Sequence, residues 1–87
     1  MRHAKIDELY KINSLIENIR KIDNIKEKTP GHFYYKNRNI IHFHIDNSVI
    51  YCDIKNKRIK IENNYEKIID NINDYINEIK LKNSKSK

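Results

Sequence analysis

The 87-residue sequence predicts an α+β fold, a two-layer sandwich with the element order α-β-β-β-β-α. Apolar residues recur at helical spacing near both ends of the chain, whereas they alternate with polar residues in the middle. Turn-forming sequences divide the middle into four segments. We therefore expect a four-stranded antiparallel meander with two helices on one face. The single domain would span residues 1–82, followed by a disordered basic tail over 83–87.

The first element is predicted to be a long helix over residues 4–27, with a break near Asp23-Asn24 as the alternative. Its apolar stripe has the spacing of a helix that faces a core, at Leu9, Ile12, Ile16 and Ile19. Thr29-Pro30-Gly31 then marks a turn, because proline disfavours helical backbone at the residue before it.

The central hairpin is the best-specified part of the predicted sheet. Strands over 40–46 and 49–55 flank Asn47-Ser48, which has the composition of a two-residue turn. Pairing across this turn gives one apolar face: Ile45 with Ile50, Phe43 with Cys52 and Ile41 with Ile54. The other face pairs His44 with Tyr51 and His42 with Asp53. The register is firmly specified because a one-residue slip would mix the two faces.

The first strand of the meander is predicted over 32–36, and two loops could connect it to the second. We favour a three-residue loop, Asn37-Arg38-Asn39, over a two-residue loop. The two alternatives differ in what they bury: Phe33 and Tyr35 for the longer loop, and Tyr34 and His32 for the shorter one. The longer loop buries the more apolar pair.

The last strand is predicted over 58–62, after a turn at Asn56-Lys57. That turn would pair Ile54 with Ile59 and Cys52 with Ile61. The closing helix begins at Asn63, with Glu66 three residues later in a capping-box-like arrangement. Its apolar stripe comprises Tyr65, Ile68, Ile69, Ile72, Tyr75, Ile76 and Ile79.

The net charge of +6 is unevenly distributed. Residues 32–62 carry +3 and the tail 82–87 carries +3, whereas residues 65–81 carry −2. This distribution favours an anionic partner, although a soluble surface with a lysine-rich tail accounts for it equally well. The abundance of isoleucine, lysine and asparagine is typical of an AT-rich genome, such as that of a low-GC bacterium or its phage.

The cellular location is expected to be the cytoplasm, without membrane insertion. The single cysteine, Cys52, excludes an intramolecular disulfide and a cysteine-based zinc site. Charged residues interrupt the amino terminus, so no signal peptide is expected. No apolar run reaches the roughly 18 residues that a membrane-spanning helix needs.

The sheet face away from the helices is the predicted site. The registers above place two rows of side chains there: Tyr34, His42, Asp53 and Lys60, and His32, His44, Tyr51 and Glu62. Tyrosine and histidine rings can stack on bases, and neighbouring cations can hold phosphates. The predicted binding residues are His32, Tyr34, His42, His44, Tyr51, Lys55, Lys57, Arg58 and Lys60. The same face could receive a protein partner or a second copy of the chain.

Two other interpretations of this face remain open. His42 and His44 at i and i+2 could ligate zinc or manganese with Asp53 and His32, or Asp53 could orient His42 as a general base. No serine or cysteine nucleophile is expected on the face. Alternatively, the histidines are ordinary half-exposed cross-strand partners, each pair worth about 0.2–1 kcal/mol.

The segment from Pro30 to about Ile79 resembles small uncharacterised bacterial proteins. They share Pro-Gly-x-Phe-Tyr, a Leu-His-Phe-His strand, an Ala-Asp-Val strand and a closing helix. The matching residues are Pro30-Gly31, Phe33-Tyr34, His42-Phe43-His44 and Asp53, with Ile41 in place of leucine and Cys52 in place of alanine. The resemblance implies that the two histidines and Asp53 belong together, and it implies no activity.

The sequence thus favours a small binding protein that is not an enzyme and needs no cofactor. Its partner would be nucleic acid or protein, for example a host nuclease inhibited by a phage-encoded protein. The alternative is a small metal-dependent or His/Asp hydrolase centred on His42, His44 and Asp53.

Overall fold

The computed structural model describes residues 2–3 and 9–85, and the side chains of residues 9–82. The strands are β1 (Arg2–His3), β2 (Lys26–Thr29), β3 (His32–Tyr35), β4 (Arg38–Asp46), β5 (Val49–Ile54) and β6 (Lys57–Lys60). A 3-10 turn (Tyr10–Ile12) precedes helix α1 (Asn13–Arg20), and helix α2 (Tyr65–Lys85) follows the sheet. Within the described residues, no helix has the length and apolar character needed to cross a membrane.

The predicted α+β class and antiparallel meander are confirmed. The strand order is β2-β3-β4-β5-β6, and the two-residue β1 also pairs with β4. The sheet therefore continues one strand beyond the expected four along its main path, in addition to β1. The added strand, β2, forms one edge of the sheet.

The core lies between one face of the sheet and the two helices. The helical stripes predicted from spacing are the buried ones: Leu9, Ile12, Ile16 and Ile19 before and within α1, and Ile68, Ile72, Ile76 and Ile79 in α2. The predicted inward strand residues are also buried: Phe33, Tyr35, Ile41, Phe43, Ile45, Ile50, Cys52 and Ile54. Cross-strand alternation explains this agreement, because every second residue of a strand points to the same face.

The predicted first helix is wrong at its carboxyl end. Helix α1 ends at Arg20, Asn24 adopts a positive φ of 68°, and Lys26–Thr29 forms β2 along β3. Backbone pairing with β3 therefore overrides the helical spacing of Ile22 and Ile25, which are half-buried beside the core. The predicted part of this helix over residues 4–8 lies outside the described residues.

A side-chain network links the end of α1 to β2. Arg20 donates from Nε to Glu27 Oε1 at 2.7 Å and also binds Glu17. The other oxygen of Glu27 accepts the Gly31 N–H at 3.0 Å. The pKa of Glu27 is lowered, chiefly by its hydrogen bond from Arg20. One carboxylate thus ties the helix end to the turn that leads into β3.

The predicted three-residue loop between the first two strands of the meander is also wrong. Lys36-Asn37 forms a two-residue turn in which both residues have positive φ, and Tyr35 pairs with Arg38. Phe33 pairs with Ile41 and Tyr34 with Asn39, so Ile40 between them has no partner on β3. The Ile40 side chain is fully buried. This β-bulge keeps Phe33 and Tyr35 on the core face, so the predicted burial is right although the loop is not.

The last hairpin turns one residue earlier than predicted, at Lys55-Asn56. Cys52 lies opposite Ile59, and the Ile61 N–H donates to the Ile50 carbonyl at 3.0 Å, in place of the predicted Cys52–Ile61 pair. The shift is two residues in register, so every side chain keeps its face. Apolar patterning alone therefore could not separate the two turns.

Helix α2 begins at Tyr65 rather than at Asn63. The side chain of Asn64 joins the preceding loop to the sheet, accepting from the Glu62 N–H at 2.8 Å and donating to the Lys60 carbonyl at 3.0 Å. The side chains of the predicted tail, residues 83–87, lie outside the described part of the chain.

Candidate functional site

Two histidines and a carboxylate converge on the open face, by which we mean the sheet face turned away from α1 and α2. His42 and His44 on β4 lie opposite Asp53 and Tyr51 on β5, which confirms the predicted central register. His44 Nε2 lies 2.8 Å from Asp53 Oδ2, and His42 Nε2 lies 3.3 Å from the same oxygen. Alternation along the strand brings the two imidazoles to one carboxylate.

Arg58 on β6 binds the same carboxylate through two hydrogen bonds. Its Nε donates to Asp53 Oδ1 at 2.8 Å, and its Nη2 donates to Oδ2 at 2.9 Å. The pKa of Asp53 is lowered to about 2, chiefly by these hydrogen bonds, with smaller contributions from the charges of His44, Arg58 and His42 and against an opposing effect of burial. Asp53 is therefore ionised at neutral pH and shared among three partners.

Asn39 orients the imidazole of His42. Asn39 Oδ1 lies 2.9 Å from His42 Nδ1. A carbonyl oxygen only accepts hydrogen bonds, so Nδ1 carries the proton. When His42 is protonated, Nε2 donates to Asp53. When His42 is neutral with its proton on Nδ1, the Nε2 lone pair faces the Asp53 carboxylate 3.3 Å away, and a metal ion bound there would be ligated by both groups.

Cationic edge strands flank these rings on the open face. On β6, Lys60 lies opposite Tyr51. On β2, Lys26 lies opposite Tyr34, and the Lys28 amine lies 4.6 Å from the centre of the Tyr34 ring. The open face therefore runs from lysines at one edge, across tyrosine and histidine rings, to Arg58 and Lys60 at the other.

The outer registers change three of the predicted neighbours on this face. Tyr34 lies opposite Asn39, Asp53 opposite Arg58 and Tyr51 opposite Lys60, in place of His42, Lys60 and Glu62. The arginine gained by Asp53 is the most consequential change, because a guanidinium binds a carboxylate through two parallel hydrogen bonds.

His32 is not brought into the His/Asp group. It pairs with Thr29 of β2, whereas β1 occupies the position beside His44 through His3. Among the described residues, the group that could ligate a metal comprises His42, His44 and Asp53, whose donor atoms lie within 4.8 Å of one another.

Two of the predicted binding residues contact α2 rather than the open face. Lys55 Nζ binds Glu78 Oε1 at 2.8 Å, and Lys57 Nζ lies 3.3 Å from Asn71 Oδ1. The pKa of Glu78 is lowered, chiefly by the hydrogen bond from Lys55. These two lysines hold the β5–β6 turn against the helix.

Sequence reasoning missed Lys26 and Lys28, because Lys26 was assigned to the helix predicted over residues 4–27 and no strand was predicted before residue 32. A usable signal was present: Lys-Glu-Lys-Thr alternates in charge directly before Pro30-Gly31, as an edge strand before a turn does. The alternation places the two lysines on the open face, whereas Glu27 points to the opposite side and accepts a hydrogen bond from Arg20.

Cys52 offers no nucleophile to this face. It is buried in the core, and burial raises the pKa of its thiol to about 12, with a further contribution from the Asp53 charge. The chemistry of the open face thus depends on its rings, cations, histidines and Asp53. These groups can stack on rings, pair with anions, exchange protons through histidine and ligate a metal.

Neither a protein-family model, nor a curated protein, nor a solved structure matches this chain. The resemblance to the Pro-Gly-x-Phe-Tyr proteins stays a prediction, and the site must be interpreted from its own geometry.

Proposed function

We propose that this protein binds nucleic acid through the open face of its sheet and acts as a binding protein rather than as an enzyme. The observation that carries the proposal is the layout of that face, in which aromatic and imidazole rings lie between two lysine-bearing edge strands. Exposed rings on a sheet provide stacking surfaces for bases, and flanking cations hold the phosphates.

The charge distribution supports the proposal. Residues 26–60, which span β2 to β6, contain eight basic and three acidic residues, whereas residues 65–85 of α2 contain four of each. Lys55 and Lys57 contact α2, but the other six basic residues still outnumber the three acidic ones, and the helix that covers the other face is neutral overall. A surface biased in this way attracts a polyanion to the sheet side.

The acidic residue at the centre of the open face does not oppose this attraction. Asp53 is paired with Arg58 through two hydrogen bonds and contacts both His42 and His44. Its charge is thereby compensated within the face. The carboxylate instead fixes the orientation of the histidine rings, which reduces the conformational entropy that they would lose on binding.

The first test is binding of labelled single- and double-stranded RNA and DNA to the wild type at two salt concentrations. We expect binding that weakens steeply with salt, because each phosphate contact releases counterions. The variant Tyr51→Ala/Lys60→Ala removes a facing ring and cation. It should bind at least about tenfold more weakly, since a stacked base contributes about 1–3 kcal/mol.

The matched control is Tyr10→Ala/Lys11→Ala, which removes an exposed tyrosine and an exposed lysine from the 3-10 turn. This control should bind as the wild type does. Equal losses in both variants would remove the open face from the proposal. A wild type that binds none of the four nucleic acids would overturn the nucleic-acid proposal and favour a protein partner, or a second copy of the chain, on this face.

A metal-dependent hydrolase is the second candidate, because three potential ligands already converge. The two distances to Asp53 Oδ2, 2.8 and 3.3 Å, suit neighbouring ligands around a zinc or manganese ion, and a bound metal could activate water for hydrolysis. Arg58 opposes this function, since its charge and its two hydrogen bonds compete with the metal for Asp53.

Calorimetric titration with zinc or manganese tests this second candidate. If the site binds metal, His42→Ala should weaken binding by at least about tenfold. Arg58→Ala should strengthen binding, because it frees the carboxylate, whereas Lys60→Ala should change it little. The absence of binding in both the wild type and Arg58→Ala would exclude the metal-dependent function.

A further inference from the structure

We propose that a phosphate of the bound nucleic acid strand occupies a cleft at the β2 edge of the sheet, beside Tyr34. The cleft has a volume of about 680 Å³ and lies where β2, β3 and the β3–β4 turn meet. Its size falls within the roughly 300–1,000 Å³ typical of ligand sites. This inference rests on the proposed function and adds a specific location for the phosphate.

The lining of the cleft is basic. The side chains that carry the argument are Lys26, Lys28 and Lys36, together with Tyr34, Asn24 and Asn37. No acidic residue is among the lining residues in the described part of the chain. Three lysines without a carboxylate in the lining favour an anion, and the two asparagines supply additional hydrogen-bond donors.

The acidic residue nearest in sequence is directed elsewhere. Glu27 lies between Lys26 and Lys28, but its two carboxylate oxygens are bound by Arg20 and by the Gly31 N–H. The pKa of Glu27 is lowered in this arrangement, chiefly by Arg20, so it stays ionised on the far side of the strand. The strand therefore separates its charges, with both lysines on the cleft side.

The lysines already lie close to the groups that a nucleotide would contact. The Lys28 amine lies 4.6 Å from the centre of the Tyr34 ring and 3.4 Å from Asn37 Oδ1. The Lys36 amine lies 5.7 Å from the centre of the Tyr35 ring, and both residues also line the cleft. A phosphate bound by Lys28 in the cleft would place the attached base beside Tyr34, on the open face.

Edge-strand lysines also discourage pairing with another chain, and Lys26 and Lys28 serve that purpose in either case. Lys36 does not, because it belongs to the β3–β4 turn. Lys36 nevertheless lines the same cleft as the two strand lysines, which a phosphate site predicts and edge protection leaves unexplained.

The test compares two triple variants that remove equal charge, using a labelled single-stranded RNA and the DNA of the same sequence. Lys26→Ala/Lys28→Ala/Lys36→Ala empties the cleft of its amines, and Lys67→Ala/Lys80→Ala/Lys82→Ala removes three exposed lysines from α2. The cleft variant should bind at least about tenfold more weakly near physiological salt, and the slope of log affinity against log salt should become shallower by about 1, as the loss of one phosphate contact predicts. The α2 variant should keep most of both.

Amide chemical shifts recorded during titration of the wild type with the same oligonucleotides locate the contact. Shifts at residues 24–28 and 34–37 support the cleft. Shifts confined to β5 and β6, or equal losses of affinity in the two triple variants, overturn the cleft and leave the proposed function intact. No binding and no shifts in the wild type overturn both. An effect seen with RNA alone would also overturn the phosphate site, because DNA of the same sequence carries the same phosphates and lacks only the 2′-hydroxyl.

Discussion

At the scale of single residues, Asp53 determines how the open face is organised. Its carboxylate is 18% exposed and holds Arg58 on one side and the two histidines on the other. Loss of its charge would leave three basic side chains without their shared acceptor. We therefore expect Asp53 to matter more for the order of the face than its small exposed area suggests.

The pH dependence of stability tests this role. The pKa of Asp53 is lowered from 3.8 to about 2 in the folded protein, chiefly by Arg58. A carboxylate with a lowered pKa stabilises the folded state above its unfolded pKa and loses that contribution as pH falls through the folded value. Part of the wild-type free energy of unfolding should therefore disappear between about pH 4 and about pH 2.

Asp53→Asn should lower the free energy of unfolding by about 1–3 kcal/mol at neutral pH. Its stability should also fall less steeply as the pH drops from about 4 to about 2, which is the acid limb of the stability curve. Urea unfolding at a series of pH values measures both quantities. Asp46→Asn, which changes an exposed carboxylate at the end of β4, is the control and should retain the wild-type limb. An unchanged acid limb in Asp53→Asn would remove Asp53 from this account.

At the scale of elements, the turns decide which residues face each other. Pro30-Gly31 joins β2 to β3, and Gly31 has a φ of +80°, which fits the third residue of a type II turn after proline. A Cβ on Gly31 would lie 2.7 Å from Leu9 Cδ1 in the core. This turn therefore requires glycine for both backbone conformation and space.

Gly31→Ala should lower the free energy of unfolding by about 1–3 kcal/mol, because it adds left-handed strain and displaces the Leu9 side chain. Denaturant unfolding measures the loss. Leu9→Ala removes the side chain that the new Cβ would contact. The losses of the single variants Gly31→Ala and Leu9→Ala should therefore sum to more than the loss measured in the double variant. Strict additivity would assign the whole cost to the backbone, and full wild-type stability would contradict the turn geometry.

The outer hairpins show what local sequence leaves open. Lys-Asn-Arg-Asn contains more than one acceptable turn position, and Lys-Asn-Lys does the same between β5 and β6. Between β5 and β6 the register differs from the predicted one by two residues, so every side chain stays on its predicted face. Between β3 and β4 the bulge at Ile40 keeps Phe33 and Tyr35 on the core face. The inward residues could therefore be predicted, whereas the cross-strand neighbours of Tyr34, Asp53 and Tyr51 could not.

At the scale of the whole molecule, the sheet separates two functions. Its inner face buries a nearly continuous set of isoleucine and aromatic side chains against α1 and α2. Its open face carries the tyrosine and imidazole rings, and α2 is neutral overall. The cations beside these rings are Lys26, Lys28, Arg58 and Lys60. The same strands thus stabilise the fold with alternate residues and present the proposed binding surface with the others.

The sequence by itself determined the fold class, the two helical stripes, the central register and the meeting of His42, His44 and Asp53. Each of these follows from periodicity or from one unambiguous turn, which are local properties of the chain. Only the tertiary structure decided that Lys26–Thr29 is an edge strand and that Arg58 binds Asp53. The local patterns of these segments permit a helix over residues 26–27 and a different partner for Asp53. Backbone pairing and side-chain contacts between distant segments stabilise the observed arrangement over these alternatives.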